Sequence, residues 1–166
     1  MFVEANQLQR FTLTMPGRVP LVIEPFTPPR GGPVLEKGGA LVPGSTLRIE
    51  ATIAATIAAT VTVEGAPHCK AVAVPAECTL APGRYTIELV GPERTRVKRE
   101  VTMTSEAVVE TLAVGIVEAG AGKLLQPGGR ARALLEAGTQ TVTVSDGAGS
   151  HRTTVTVEPG GTVIAN

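Results

Sequence analysis

Leu47-Arg48-Ile49-Glu50-Ala51-Thr52-Ile53-Ala54-Ala55-Thr56-Ile57-Ala58-Ala59-Thr60-Val61-Thr62-Val63 is the stretch that decides the fold. Every odd position is Leu, Ile, Ala or Val. The even positions hold Arg48, Glu50 and four of the threonines. Period two places successive side chains on opposite faces, the pattern of a half-buried strand. Strands usually run about three to ten residues. The stretch therefore predicts one exceptionally long strand or two strands in phase, breaking near Ala54-Ala55 or Ala58-Ala59. A helix competes for the Ala-rich middle, but the Thr and Ile content and the period oppose it.

The rest of the composition agrees with an all-β fold. Hydrophobic residues make up 43% of the 166 residues, enough for a core. Only four aromatics exist, Phe2, Phe11, Phe26 and Tyr85, so Val, Ile, Leu and Ala must fill it. The 19 Gly and 13 Pro favour short strands joined by turns. Lys plus Arg equals Asp plus Glu, 15 each, which gives no overall footprint for nucleic acid or an anionic membrane. Apolar runs fall far short of the roughly 20 residues of a membrane-spanning helix. Met1-Phe2-Val3-Glu4-Ala5-Asn6 shows no charged region followed by an apolar one, so no secretory signal is expected. Scarce Asn and Asp, with Arg outnumbering Lys, suit a GC-rich genome and a hot habitat.

A repeat follows the alternating stretch. Leu80-Ala81-Pro82-Gly83-Arg84-Tyr85-Thr86-Ile87-Glu88-Leu89 matches Leu135-Glu136-Ala137-Gly138-Thr139-Gln140-Thr141-Val142-Thr143-Val144. Val101-Thr102-Met103 matches Val155-Thr156-Val157, and Val63-Glu64 matches Val117-Glu118. A duplicated β unit predicts one module over 45–114 and a degenerate copy over 115–166.

Val61-Thr62-Val63-Glu64-Gly65-Ala66, the Pro82-Gly83-Arg84-Tyr85 turn and the closing Val101-Thr102-Met103 resemble a PEGA domain over about residues 60–114. That family is a small β-sandwich-like module of bacterial surface and signalling proteins. The resemblance implies a sandwich fold and an envelope or scaffold role, binding cell-wall sugar or protein. The glycine-aromatic pair usual after the second strand is replaced here by Gly91-Pro92-Glu93-Arg94.

Residues 1–44 differ from the remainder. They hold seven of the 13 prolines and all three Phe. Phe26-Thr27-Pro28-Pro29-Arg30-Gly31-Gly32-Pro33 excludes helix and central strand. Arg10 to Met15 and Val19 to Glu24 read as short extended pieces. The region reads as an extended Pro-rich arm. Phe2, Phe11 and Phe26 on it either fold back on the chain's own sheet or anchor a partner, where a buried aromatic contributes about 2 kcal/mol or more.

A second candidate surface is the run Arg94, Arg96, Lys98 and Arg99. It either grips an acidic partner or phosphate, or forms a solvated, edge-protecting strand. No aromatic interleaves it, so base stacking is not offered.

Catalytic and metal chemistry find little support. His68, Cys69, Cys78 and His151 lack the tight spacing of zinc ligands. Two buried thiols are the expected state of Cys69 and Cys78, with a disulfide as the other outcome. The lone Asp146 sits in Ser145-Asp146-Gly147, a turn signal. Gly120-Ala121-Gly122-Lys123 lacks both the earlier Gly and the following Ser or Thr of a phosphate loop. No catalytic residue and no cofactor is expected.

Small all-β proteins with extended arms also resemble, in plan, the decoration (cement) proteins of tailed-phage capsids. That resemblance implies a homo-oligomeric structural protein on the outer surface of a virion. It would staple capsid subunits by strand addition and apolar plugs. The PEGA resemblance implies the bacterial envelope instead.

Overall fold

The computed structural model describes residues 5–32, 38–53, 57–126 and 128–166. The chain is all-β, and among the described residues its helical content is limited to two short 3-10 turns. The N-terminal region contributes strands β1 (Gln9–Leu13) and β2 (Leu21–Phe26), which pair antiparallel with each other alone. The two extended pieces read in the arm are thus the two halves of one hairpin.

The first module is a seven-stranded sandwich. One sheet has β3 (Ser45–Ala51) in the middle, antiparallel to β6 (Ala76–Leu80) and parallel to β9 (Val108–Leu112). The other runs β5 (Val72–Ala73), β4 (Thr60–Val63), β7 (Gly83–Val90), β8 (Arg96–Met103). The alternating stretch is therefore two strands, β3 and β4, and they lie in opposite sheets. Both keep their odd positions inward: Leu47 and Ile49 from one sheet, Ala59, Val61 and Val63 from the other, are all buried. The chain crosses between sheets without losing phase, because both strands face the same core. The predicted break at Ala54-Ala55 lies outside the described residues.

The second module repeats this plan. Here β10 (Val114–Ala119) is central, antiparallel to β12 (Arg132–Glu136) and parallel to β15 (Thr162–Ala165). The facing sheet is β11 (Lys123–Gln126), β13 (Gly138–Asp146) and β14 (Gly149–Val157). Strand for strand, β10 to β15 reproduce β3, β4, β6, β7, β8 and β9, with β5 as the extra strand of the first module. The matches of Gly83 with Gly138 and of Met103 with Val157 fall on equivalent strands. The match of Val63 with Val117 does not. Val117 lies in β10, the counterpart of β3, whereas β4 corresponds to β11. A Val-Glu pair at a strand end is too short to carry register.

The two sandwiches share buried surface. Val114, Ile116 and Leu134, on one face of the β12-β10-β15 sheet, belong to the first module's core. Val117 and Ala133, on its other face, belong to the second module's core. Burial on both faces explains why Val114 to Val117 are four buried residues in succession rather than an alternation.

Polar groups complete the junction. Thr52 Oγ1 donates to the Val114 carbonyl at 3.0 Å and accepts the Val114 N–H at 2.9 Å, acting as a strand backbone would. Gly91 lets Leu134 approach, since a Cβ there would stand 2.8 Å from its side chain. The segment Gly91 to Arg94, where the sequence departs from the PEGA pattern, is thus the seat of the second module.

Candidate protein-binding site

The arm hairpin is built by register and anchored at its tip. Phe11 pairs with Ile23 and Leu13 with Leu21, and directly opposed residues share a face of an antiparallel ladder. An irregularity between Gln9 and Phe11 shifts Phe26 onto Gln9 in register. The rings of Phe11 and Phe26 then meet, with centroids 5.9 Å apart and planes tilted by 37°. This is an ordinary attractive geometry for an aromatic pair.

At the tip, Gly17 takes a positive φ of 67° and the Arg18 N–H donates to the Met15 carbonyl. Val19 N–H donates to Val42 O at 2.9 Å, and Gly44 N–H donates to Gly17 O at 3.1 Å. The hairpin is thereby hinged to the segment that enters β3. Leu21 rests on the backbone of Gly39, where no Cβ would fit without movement.

What the hairpin lacks is a core. No residue of β1 or β2 is fully buried, and none belongs to either core cluster. Among the described residues, Leu8, Leu13, Met15, Val22 and Val42, all on or beside the hairpin, are exposed large hydrophobics. Leu8 is 59% exposed and Met15 is 54% exposed. The three others in that class, Val109, Leu125 and Ile164, are scattered singly over the two modules.

Of the predicted anchors, Phe11 and Phe26 are brought together on this hairpin. Phe2 lies outside the described residues. Leu13, Leu21 and Ile23 complete the apolar face and were not singled out in the sequence. Their signal was present as the short alternation Phe11-Thr12-Leu13 and the apolar run Leu21-Val22-Ile23 between Pro20 and Pro25.

The basic run lies elsewhere and is largely neutralised. Arg96, Lys98 and Arg99 are exposed on β8, an edge strand, and Arg94 is in the preceding 3-10 turn. Arg96 pairs with Glu88 at 3.0 Å, Lys98 with Glu64 at 2.9 Å, and Arg99 with Glu136 of the second module at 3.1 Å. The Glu64 carboxylate accepts a hydrogen bond from the Lys98 ammonium and attracts its charge, which raises the Lys98 pKa. Exposed pairs of this kind contribute little to stability. Their visible effect is to line an edge strand with charge.

Among the remaining polar candidates, Asp146 and one nitrogen of His68 have structural partners, while the buried His68 Nδ1 has none among the described residues. Asp146 Oδ1 accepts the N–H groups of Ala148 and Gly149 and so closes the β13–β14 turn. His68 Nε2 lies 3.0 Å from the Thr79 carbonyl, and His151 is exposed on β14. Gly122 sits against the Ser145 carbonyl, so its small size serves the β11–β13 pairing. Among the described residues, no group of three or more His, Cys, Asp or Glu is placed to hold a metal. The expectation of two thiols is corrected: Cys69 and Cys78 form a disulfide. The 3-10 turn after β4 carries Cys69 back to β6, which a spacing of nine residues did not reveal.

No family model, no curated protein and no solved structure matches the chain.

Proposed function

We propose that this chain is a non-enzymatic structural protein that joins a larger protein assembly through its N-terminal hairpin. The observation that carries this reading is the hairpin's apolar face, built from Phe11, Leu13, Leu21 and Ile23, which among the described residues belongs to neither core and is at most half-buried. A two-stranded hairpin is marginal in water unless further strands or another element cover its apolar side. A partner surface supplies that cover. The tandem sandwiches, locked through a shared core, act as a stiff body behind the attachment point.

The setting that fits this plan is a virion. The chain sits on the outer face of a capsid lattice, as a decoration protein does, and staples subunits through the hairpin. A second reading, a PEGA-type module of the bacterial envelope, is favoured by one observation. The buried Cys69–Cys78 disulfide suits an oxidising compartment better than a reducing cytoplasm.

The test is co-sedimentation with shells assembled from the major capsid protein encoded beside this gene. The full chain is expected to travel with the shells, and a chain lacking residues 5–32 is expected to remain in solution while keeping its β-sheet circular dichroism. Equal sedimentation of both forms would refute the hairpin reading. Envelope or kinase genes in that neighbourhood, with no capsid gene, would favour the second setting.

A further inference from the structure

We infer that the mature chain is an oxidised protein whose Cys69–Cys78 bond is made by an external thiol–disulfide oxidant before the first sandwich closes, and is sealed from reductants afterwards. The two sulfurs belong to residues only 1% and 2% exposed, inside the larger core. Their Cα atoms are 6.0 Å apart, within the range of about 4.4–6.8 Å that a disulfide spans.

The bond ties the turn that follows β4 to β6 of the facing sheet. Cys69 ends the 3-10 turn that follows β4, and Cys78 sits in β6 opposite Leu47 of β3. The second module shows why the first needs it. There Ala133, also buried, occupies in β12 the place of Cys78 in β6. The link between β11 and β12 is short, residues 127–131, whereas β4 and β6 are separated by residues 64–75. The longer link has more freedom to lose on folding. It also contains the two-residue β5, whose ladder with β4 is the Thr60–Ala73 and Val61–Val72 pairs. A cross-link from residue 69 to 78 restricts that segment in the unfolded chain as well.

The chemistry fixes the order of events. One cysteine, as thiolate, attacks a disulfide of the oxidant and forms a mixed disulfide, releasing one oxidant thiol. The second cysteine thiolate then attacks the protein-side sulfur and expels the other. Two cysteines lose two electrons and two protons, and the oxidant departs as the dithiol. Exchange needs access to the sulfurs, and the closed sandwich denies it. The same burial shields the finished bond. This inference stands independently of the hairpin reading.

The test uses the full chain produced in an oxidising compartment. Alkylation in concentrated denaturant is expected to modify neither cysteine, and the intact mass is expected to be two hydrogens below that of the reduced chain. Dithiothreitol in native buffer is expected to cleave the bond on the order of 100-fold more slowly than in denaturant, because opening must come first. The double variant C69A/C78A is expected to lower Tm by roughly 10 °C. Free thiols in the oxidised product, or equal reduction rates in native buffer and denaturant, would overturn the inference. The reduction rates are read on the unaltered chain, so they remain decisive if the double variant does not fold.

Discussion

Thr95 and Leu134 are joined across the boundary of the two sandwiches. The Thr95 hydroxyl accepts the Leu134 backbone N–H at 3.0 Å and donates to the Pro92 carbonyl at 2.8 Å. Thr95 is 4% exposed and is the buried polar residue among those described. Leu134, its partner from the second module, is buried as well. One hydroxyl thus satisfies a turn and the middle of strand β12 at once, in a buried place.

Replacing Thr95 with Val keeps the shape and removes both bonds. The Leu134 N–H is then left buried without an acceptor, which costs about 1–3 kcal/mol. Chemical denaturation is expected to show that loss. Because the junction is what couples the modules, a single transition is expected to broaden or split. An unchanged single transition would show that the apolar contacts alone lock the tandem.

Gly91→Ala tests the same junction by crowding. The added methyl would stand 2.8 Å from Leu134 Cδ2 and 2.9 Å from its Cβ, too near for contact without movement. Overpacking of this kind costs about 1–3 kcal/mol. The loss is expected in thermal melts of the whole chain. A variant trimming the partner, Leu134→Ala, removes the Cδ2 contact but keeps Cβ, so combined with Gly91→Ala it is expected to relieve the clash in part, and the two effects are non-additive.

The Lys98 pair predicts a direction with pH. Its folded-state pKa lies above the ordinary 10.5, chiefly through the hydrogen bond to Glu64. A raised pKa means that the contribution is fully present below the unfolded value and is lost as pH climbs through the folded one. Full exposure and salt screening keep it small. In Glu64→Gln, the Lys98 titration followed by NMR is expected to move down toward the ordinary value. No movement would show that the pair does not persist in solution.

Much of this was legible in the chain. The alternation over residues 47–63 gave two strands because both bury odd positions in one core. The Gly83 and Gly138 turns marked equivalent positions, because each carries the chain from one sheet to the other, β6 to β7 and β12 to β13. Two things were hidden. The run Val114 to Val117 does not alternate, since its sheet is buried on both faces, one by each module. The disulfide was hidden because the fold, through the turn at Pro67–Cys69, brings two cysteines together that sequence spacing leaves unpaired. In the arm, Phe11 and Phe26 were singled out as lone anchors, yet only strand pairing could place their rings side by side.

The hairpin makes a paired forecast for Phe11→Ala. Phe11 belongs to neither core and packs on Phe26 within the hairpin, so the variant is expected to loosen the hairpin while the two sandwiches melt within about 0.5 kcal/mol of the parent. Binding to the partner assembly is expected to weaken by about 2 kcal/mol, roughly thirtyfold. Neutralising Arg96 and Lys98 together is expected to change the salt dependence of binding more than its strength. A binding loss confined to the charge variant would move the site to β8.

The most direct measurement is amide hydrogen exchange across Gln9–Leu13 and Leu21–Phe26, in the free chain and in the assembled state. A hairpin whose apolar face awaits a partner opens easily when alone. Exchange in β1 and β2 is expected to be fast in the free chain, while β7 and β13 are well protected. On assembly, β1 and β2 are expected to slow on the order of 100-fold, with β7 and β13 unchanged. Hairpin amides already as protected as β7 in the free chain, or unprotected in both states, would contradict the account.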